Sequence, residues 1–230
     1  MLDLYANKSA ALPQKLTITG LEVLFIGLSY FILFGGGDIL LMQTFGWPGL
    51  GATLERRSVI FLFNIIILAR MGVMMFVFMR RTIPWSEAFS VPVAFALYYV
   101  GFAVLVLANT NPLGWVDWLA VGLFVLGCYL NTGSELERHI FKLDVNNRGK
   151  IYTGGLFQWS MHINFFGDVV WVLAYGLIAM HWVGFLLPLM LLAMFMFFNV
   201  PKLDAYLAMR YGQPFKDYAA TTKRLIPFVW

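Results

Sequence analysis

Long apolar runs dominate this chain and leave few folds open to it. Six segments, at about 16–35, 58–79, 89–108, 115–131, 163–180 and 182–199, are nearly uncharged. Each is close to the ~20 residues that cross a bilayer core as a helix. The last two form one apolar stretch, and His181 with Gly184 marks a tight hairpin within it. Of 230 residues, 60% are hydrophobic and 12% charged, against roughly 45–50% and about 25% in soluble domains. The expectation is an all-α polytopic membrane helical bundle with about six transmembrane helices. With no internal repeat and no linker rich in Pro, Gly or Ser, residues 1–230 read as a single integral membrane domain.

Basic residues translocate poorly, so their distribution predicts orientation. With six spans, the N-terminus, the 80–88 loop, the 132–162 segment and the tail after 200 share one side and carry 2, 2, 4 and 5 Lys or Arg. The opposite loops carry only Arg56 and Arg57, and Arg70 stays inside a helix. Both termini are therefore expected in the cytoplasm, in a bacterial inner membrane or an endoplasmic reticulum. The polar first 16 residues, with Lys8 and Lys15 and no small-residue cleavage site after the first apolar run, argue against a removable signal peptide. The formal charge of +4 is then a topology signal with a share for anionic lipid, and it calls for no nucleic acid.

Several chemistries are disfavoured at once. A single cysteine, Cys128, excludes an intramolecular disulfide framework and a zinc-thiolate site. His139, His162 and His181 are too scattered for a histidine-rich di-iron site, so no metal is expected. The stretch Gly46-Trp47-Pro48-Gly49-Leu50-Gly51 lacks the spacing and preceding strand of a dinucleotide fingerprint and reads as a turn.

Ionisable groups at bilayer depth cost at least about 2.5–3.5 kcal/mol each, so each asks for a partner or a task. Arg70 lies within the second span. It either pairs internally with Glu22 or Asp38, or faces a polar cavity and grips a phosphate or carboxylate. Asn131, Glu135 and Arg138 recur at i, i+4 and i+7 and share a helical face. Asn164 and Asp168, four apart, open the fifth span, where an acid also suits the helix dipole. These groups and the basic tail converge on one side. A polar, basic pocket beside a lipid-filled cleft suits one polyanionic soluble ligand and one lipophilic small-molecule substrate arriving through the membrane.

The C-terminal half carries Gly154-Gly155-Leu156-Phe157, then His162-Ile163-Asn164-Phe165-Phe166-Gly167-Asp168. It continues with Tyr206, Tyr211-Gly212, Tyr218 and Leu225-Ile226-Pro227-Phe228. In this order the motifs resemble the steroid 5-alpha-reductase family, within the membrane superfamily that also holds sterol reductases and isoprenylcysteine methyltransferases. The resemblance covers about residues 125–230 and implies that this half binds NADPH from the cytoplasm, for hydride transfer to a carbon–carbon double bond of a steroid- or isoprenoid-like lipid. It implies cofactor contacts from Asn131, Ser134 and Glu135, from the cationic Arg138 and Lys142, and from Tyr152, Asn164, Asp168 and Tyr206, with Arg70 added from its place in the membrane. No flavin or metal is implied.

The pattern also departs from the family. Sterol reductases and methyltransferases carry Arg-His-Pro where this chain has Met161-His162-Ile163, which weighs against a methyltransferase more than against a reductase. Reductases of 3-keto steroids use a Tyr and a Glu to polarise the enone and supply a proton. Here the tyrosine position falls at Ile67, with no Glu where the acid belongs. Asp38, Glu87, Tyr98 and Tyr99 stand as substitutes, although the tyrosines also suit ordinary packing and Glu87 a helix start. The runner-up is an S-adenosylmethionine-dependent lipid or isoprenylcysteine-type methyltransferase. A small transporter ranks third, because repeated halves with midplane sites are missing.

Overall fold

In lipid a backbone N–H has no water to turn to, so every amide must be paired within the segment, and helices are the economical answer. The computed structural model describes residues 10–47 and 49–230, and among these every regular element is helical. Lys8 and Pro48 lie outside them. Five helices are long and apolar enough to cross a membrane: Leu12–Phe34, Leu54–Phe78, Trp85–Val106, Trp115–Leu143 and Trp182–Tyr211. The fifth of the six expected spans is the shorter apolar helix Ile163–Ala179. The protein is thus an all-helical integral membrane protein. The fourth and last of these helices run past their apolar segments, because 115–143 and 182–211 continue as helix into their charged ends.

Local chemistry sets the boundaries. Helix α1 (Leu12–Phe34) has Pro13 in its first turn and ends before Gly35 and Gly36, and the short α2 (Gly37–Phe45) follows. Thr53 caps α3 (Leu54–Val73) by accepting from the Arg56 amide, and a π-helical turn Met74–Phe78 extends it. In α4 (Trp85–Ala96), Pro92 removes an amide donor, and a π-helical turn Leu97–Gly101 leads into α5 (Phe102–Val106). Helix α6 (Trp115–Cys128) passes through the π-helical turn Tyr129–Gly133 into α7 (Ser134–Leu143). Then come α8 (Ile163–Ala179), α9 (Trp182–Met194) with another π-helical turn Phe195–Asn199, α10 (Val200–Tyr211) and α11 (Gln213–Thr221). The turn between α8 and α9 falls at Met180 and His181, where the hairpin was expected.

The chain divides into two compact units. The first holds the residues up to Leu119 together with Tyr175–Gly184. In it α1 packs on α3 and α4, and Arg56 is sealed by polar contacts. Its guanidinium binds both carboxylate oxygens of Asp117 and donates to the carbonyls of Asn111, Pro112 and Ile178. A buried cation so fully answered is a clasp, since losing one partner of such a pair costs about 3–5 kcal/mol. The second unit, Ala120–Ala174 with Phe185–Trp230, holds the expected cofactor half apart from Tyr175–Gly184.

Candidate functional site

Two glycines set the geometry of the second unit. A β-carbon on Gly127 of α6 would lie 2.5 Å from the Trp171 amide nitrogen and 2.7 Å from the Gly167 carbonyl oxygen of α8. Backbones this close bring short side chains within hydrogen-bonding reach. Just past the crossing, Asn131 Nδ2 donates to the Asn164 carbonyl at 3.1 Å and to Asp168 Oδ1 at 2.9 Å. Trp171 Nε1 donates to the same Oδ1 at 2.8 Å. Asn164 Nδ2 donates to Glu135 Oε1 at 2.8 Å, and the other Glu135 oxygen binds Arg138. Ser134 Oγ donates to the Asn131 carbonyl at 2.9 Å, which braces the π-helical turn holding Asn131.

This network gathers five of the sequence candidates, Asn131, Ser134, Glu135, Asn164 and Asp168, with Arg138 at its edge. Arg138 is partly exposed, its guanidinium 5.7 Å from the centre of the Phe157 ring. Lys142 is exposed on α7 and feels the charges of Arg138, Glu135 and Arg210. Tyr206 accepts a hydrogen bond from Arg210, whose guanidinium also lies 5.8 Å from the Tyr206 ring centre. Tyr152 packs between Phe141 and Phe157, at 4.9 and 5.8 Å between ring centres. Burial, with Glu137 second, pushes its phenol above the usual range. Glu137 Oε2 accepts from the Leu156 amide at 2.9 Å, and Gly155 makes this possible. Its φ is +54°, and a β-carbon there would sit 2.1 Å from that carboxylate oxygen.

The donor set suits a phosphorylated dinucleotide. The charges of Arg138 and Arg210 both reach Lys142, and Arg138 and Lys142 belong to the helix that carries Glu135. Carboxylates and amides next to them match ribose hydroxyls and a carboxamide, while the cations match phosphates. His162, part of the sequence motif but not singled out as a site residue, is buried with Nε2 2.8 Å from Asp204 Oδ1.

The candidates in the first unit fare differently. Asp38 binds Arg57 at 2.8 Å, and Glu87 forms a two-pronged ion pair with Arg81. Asp38 therefore does not serve Arg70, and both acids already have cations. Tyr98 packs edge-on to Phe95 at 5.4 Å, half-buried. Arg70 is half-buried on α3, and its charge reaches Tyr99. A pair the sequence reading did not join is instead conspicuous. Glu22 and Tyr99 are 0% exposed, and neither the Glu22 carboxyl oxygens nor the Tyr99 hydroxyl has a hydrogen-bond partner among the described residues. Their fields overlap. Beside them a satisfied polar seam shows what this fold does with a purely structural group. Tyr175 donates to Asn64 Oδ1 at 2.9 Å, and Asn64 donates to Ser29 Oγ at 2.9 Å and the Tyr99 carbonyl at 3.2 Å. The signal for Glu22 was in the sequence as a lone acid inside the first apolar run. Pairing it with Tyr99 required the packing of α1 against the π-helical turn.

Comparison with known proteins adds family evidence. The family described as Protein of unknown function (DUF1295) matches residues 74–222. A Probable O-methyltransferase, ustE, of Ustilaginoidea virens is 32% identical over 111 residues, 45% of this chain. The match spans 38% of the length of that curated relative. The solved structure of the eukaryotic intramembrane Ras methyltransferase ICMT, an isoprenylcysteine carboxyl methyltransferase, covers 97% of this chain and 99% of its own at 17% identity and a TM-score of 0.44.

Proposed function

The chain belongs to the DUF1295 family, the steroid 5-alpha-reductase-like group of membrane proteins, and from that premise we propose that it is an NADPH-dependent reductase acting on a carbon–carbon double bond of a steroid- or isoprenoid-like lipid. The observation that carries the reading is the joining of Asn131, Glu135, Arg138, Asn164 and Asp168 in one network beside further cations. When bound, the reduced nicotinamide supplies hydride. The residues of the chain do the rest. Arg138, Lys142 and Arg210 neutralise phosphates, while Asn131, Asn164, Glu135 and Asp168 hold the neutral rings and sugars in register. Tyr152 and Tyr206 offer aromatic faces and hydroxyls at the edge.

The basic loops favour a cofactor side that faces the cytoplasm. The partners are then a lipophilic small molecule and the surrounding lipid.

A second reading, an S-adenosylmethionine-dependent lipid methyltransferase, draws support from the 32% identity to a probable O-methyltransferase. S-Adenosylmethionine has a single carboxylate and no phosphate, so a cluster of Arg138, Lys142 and Arg210 suits a phosphorylated dinucleotide better. Thermal unfolding of the detergent-purified protein separates the two. NADPH is expected to raise the midpoint, less so in Arg138→Gln. Stabilisation by S-adenosylmethionine with none by NADPH would reverse the order.

A further inference from the structure

A strained residue at the end of the chain points to a surface that the cofactor chemistry leaves unused. Phe228 has φ +65°, a left-handed conformation that bulky L-residues rarely adopt. Such a conformation costs on the order of 1–3 kcal/mol and persists only where the surroundings enforce it. Here a closed loop enforces it. Leu225 and Ile226 donate their amides to the Trp230 carbonyl at 2.8 and 2.9 Å, and Val229 and Trp230 donate theirs to the Ile226 carbonyl at 3.1 Å. The outcome is a phenyl ring turned outward rather than inward. Phe228 is 79% exposed, Val229 70% and Trp159 51%, with the Trp159 and Phe228 rings 6.5 Å apart.

The depth of this patch follows from what pins it. Met161 and His162 donate their amides to the carbonyls of Lys223 and Arg224 at 2.8 and 2.9 Å. Ser160 Oγ lies 2.9 and 2.8 Å from the carbonyls of Arg224 and Leu225. Leu225 is itself fully buried. One residue after His162, α8 begins. Its 17 residues reach about 26 Å at the usual helical rise, short of the roughly 30 Å hydrocarbon core. A helix of that length has its two ends close to the boundary region, and the tail pinned to the start of α8 lies at that level. The exposed Lys223 and Arg224 stand next to the patch.

We infer that Trp159, Phe228 and Val229 form an interfacial foot that seats in the headgroup region of an anionic leaflet, with Lys223 facing its phosphates, while Arg224 Nε lies 3.6 Å from Asp204 Oδ2. Aromatic rings favour this depth, and a Lys or Arg near an anionic surface adds about 1 kcal/mol each. A soluble partner would need the patch to stand clear of the bilayer, which its attachment to the start of α8 opposes. The foot goes beyond the proposed reductase reading and does not depend on it.

The test places a nitroxide at position 228 (Phe228→Cys in a Cys128→Ser background) of the full chain in lipid nanodiscs. A second label at 229 (Val229→Cys) guards against local damage, and one at 150 (Lys150→Cys), in an exposed turn, is the control. Unfolding midpoints confirm that each labelled protein is folded. Labels at 228 and 229 are expected to collide with oxygen and to lose access to a water-soluble nickel chelate relative to 150. The loss should deepen from phosphatidylcholine to phosphatidylglycerol mixtures, and Lys223→Glu should reduce that lipid dependence. Nickel access equal to that at position 150 in both lipids overturns the proposal. Protection that tracks the number of protein copies per disc assigns the patch to protein contact and overturns it equally.

Discussion

Gly127 and Gly167 meet backbone to backbone: a β-carbon on Gly167 would stand 2.7 Å from the Gly127 carbonyl oxygen and 2.6 Å from the Asn131 amide nitrogen. The crossing of α6 and α8 therefore has no room for a methyl group on either side. Gly127→Ala and Gly167→Ala are each expected to cost about 1–3 kcal/mol through overpacking. Gly122, on the same helix, would meet nothing within 4 Å. There the substitution should be neutral or stabilising, by up to about 1 kcal/mol. Thermal unfolding in detergent compares the three, and equal midpoints would show that the close crossing does not hold the unit together.

Asp168 is the acceptor on which the network turns, since Asn131 and Trp171 both donate to the same Oδ1. Asp168→Ala removes this acceptor from both donors, with Asn131 keeping the Asn164 carbonyl, at an expected cost of about 1–3 kcal/mol. Asp168→Asn keeps an oxygen in place and should lose less. Both variants are expected to weaken NADPH binding, read by titration of nucleotide fluorescence. A fully stable Asp168→Ala protein would mean that the two donors find other acceptors.

The spans were legible because a bilayer imposes one length and one composition on any helix that crosses it, so runs such as 58–79 announce themselves. The helix ends were not, because the charged residues that stop an apolar count, such as Glu135 and Lys202, are ordinary residues of the continuing helices. In the cofactor half, helical spacing already put Asn131 with Glu135 and Asn164 with Asp168. What spacing alone could not give was the joining of these two sets, which comes from a glycine-to-glycine approach between helices far apart in sequence. Nor does any periodic pattern announce the π-helical turns that carry Asn131 and Tyr99. The surroundings of the substrate-activating candidates were hidden for a related reason. Asp38 and Glu87 look available as acids in a sequence, and only the packing reveals Arg57 and Arg81 beside them.

Tyr218 should give the protein an alkaline limit. Its hydroxyl donates to the Phe157 carbonyl, and burial pushes the phenol above its ordinary range. A pKa raised in the folded state means stability that is complete below the unfolded value of about 10 and is lost as pH rises beyond it. Tyr218→Phe should cost about 0.5–1.5 kcal/mol at neutral pH for the lost hydrogen bond. It should also flatten the decline in unfolding midpoint above pH 10. A decline as steep as in the parent protein would move the alkaline limit to another group.

Glu22 and Tyr99 should invert the usual sign of a core substitution. A buried polar atom without a partner costs the fold its desolvation, so removing it is neutral or favourable. Tyr99→Phe deletes only the orphaned hydroxyl, and the unfolding midpoint should hold or rise. Glu22→Gln retains the shape, and Glu22→Leu removes the desolvation cost outright. A satisfied structural group behaves the other way, its loss lowering the midpoint. A Tyr99→Phe protein destabilised by more than about 1 kcal/mol would show that its hydroxyl has a partner of the kind that Tyr175 finds in Asn64.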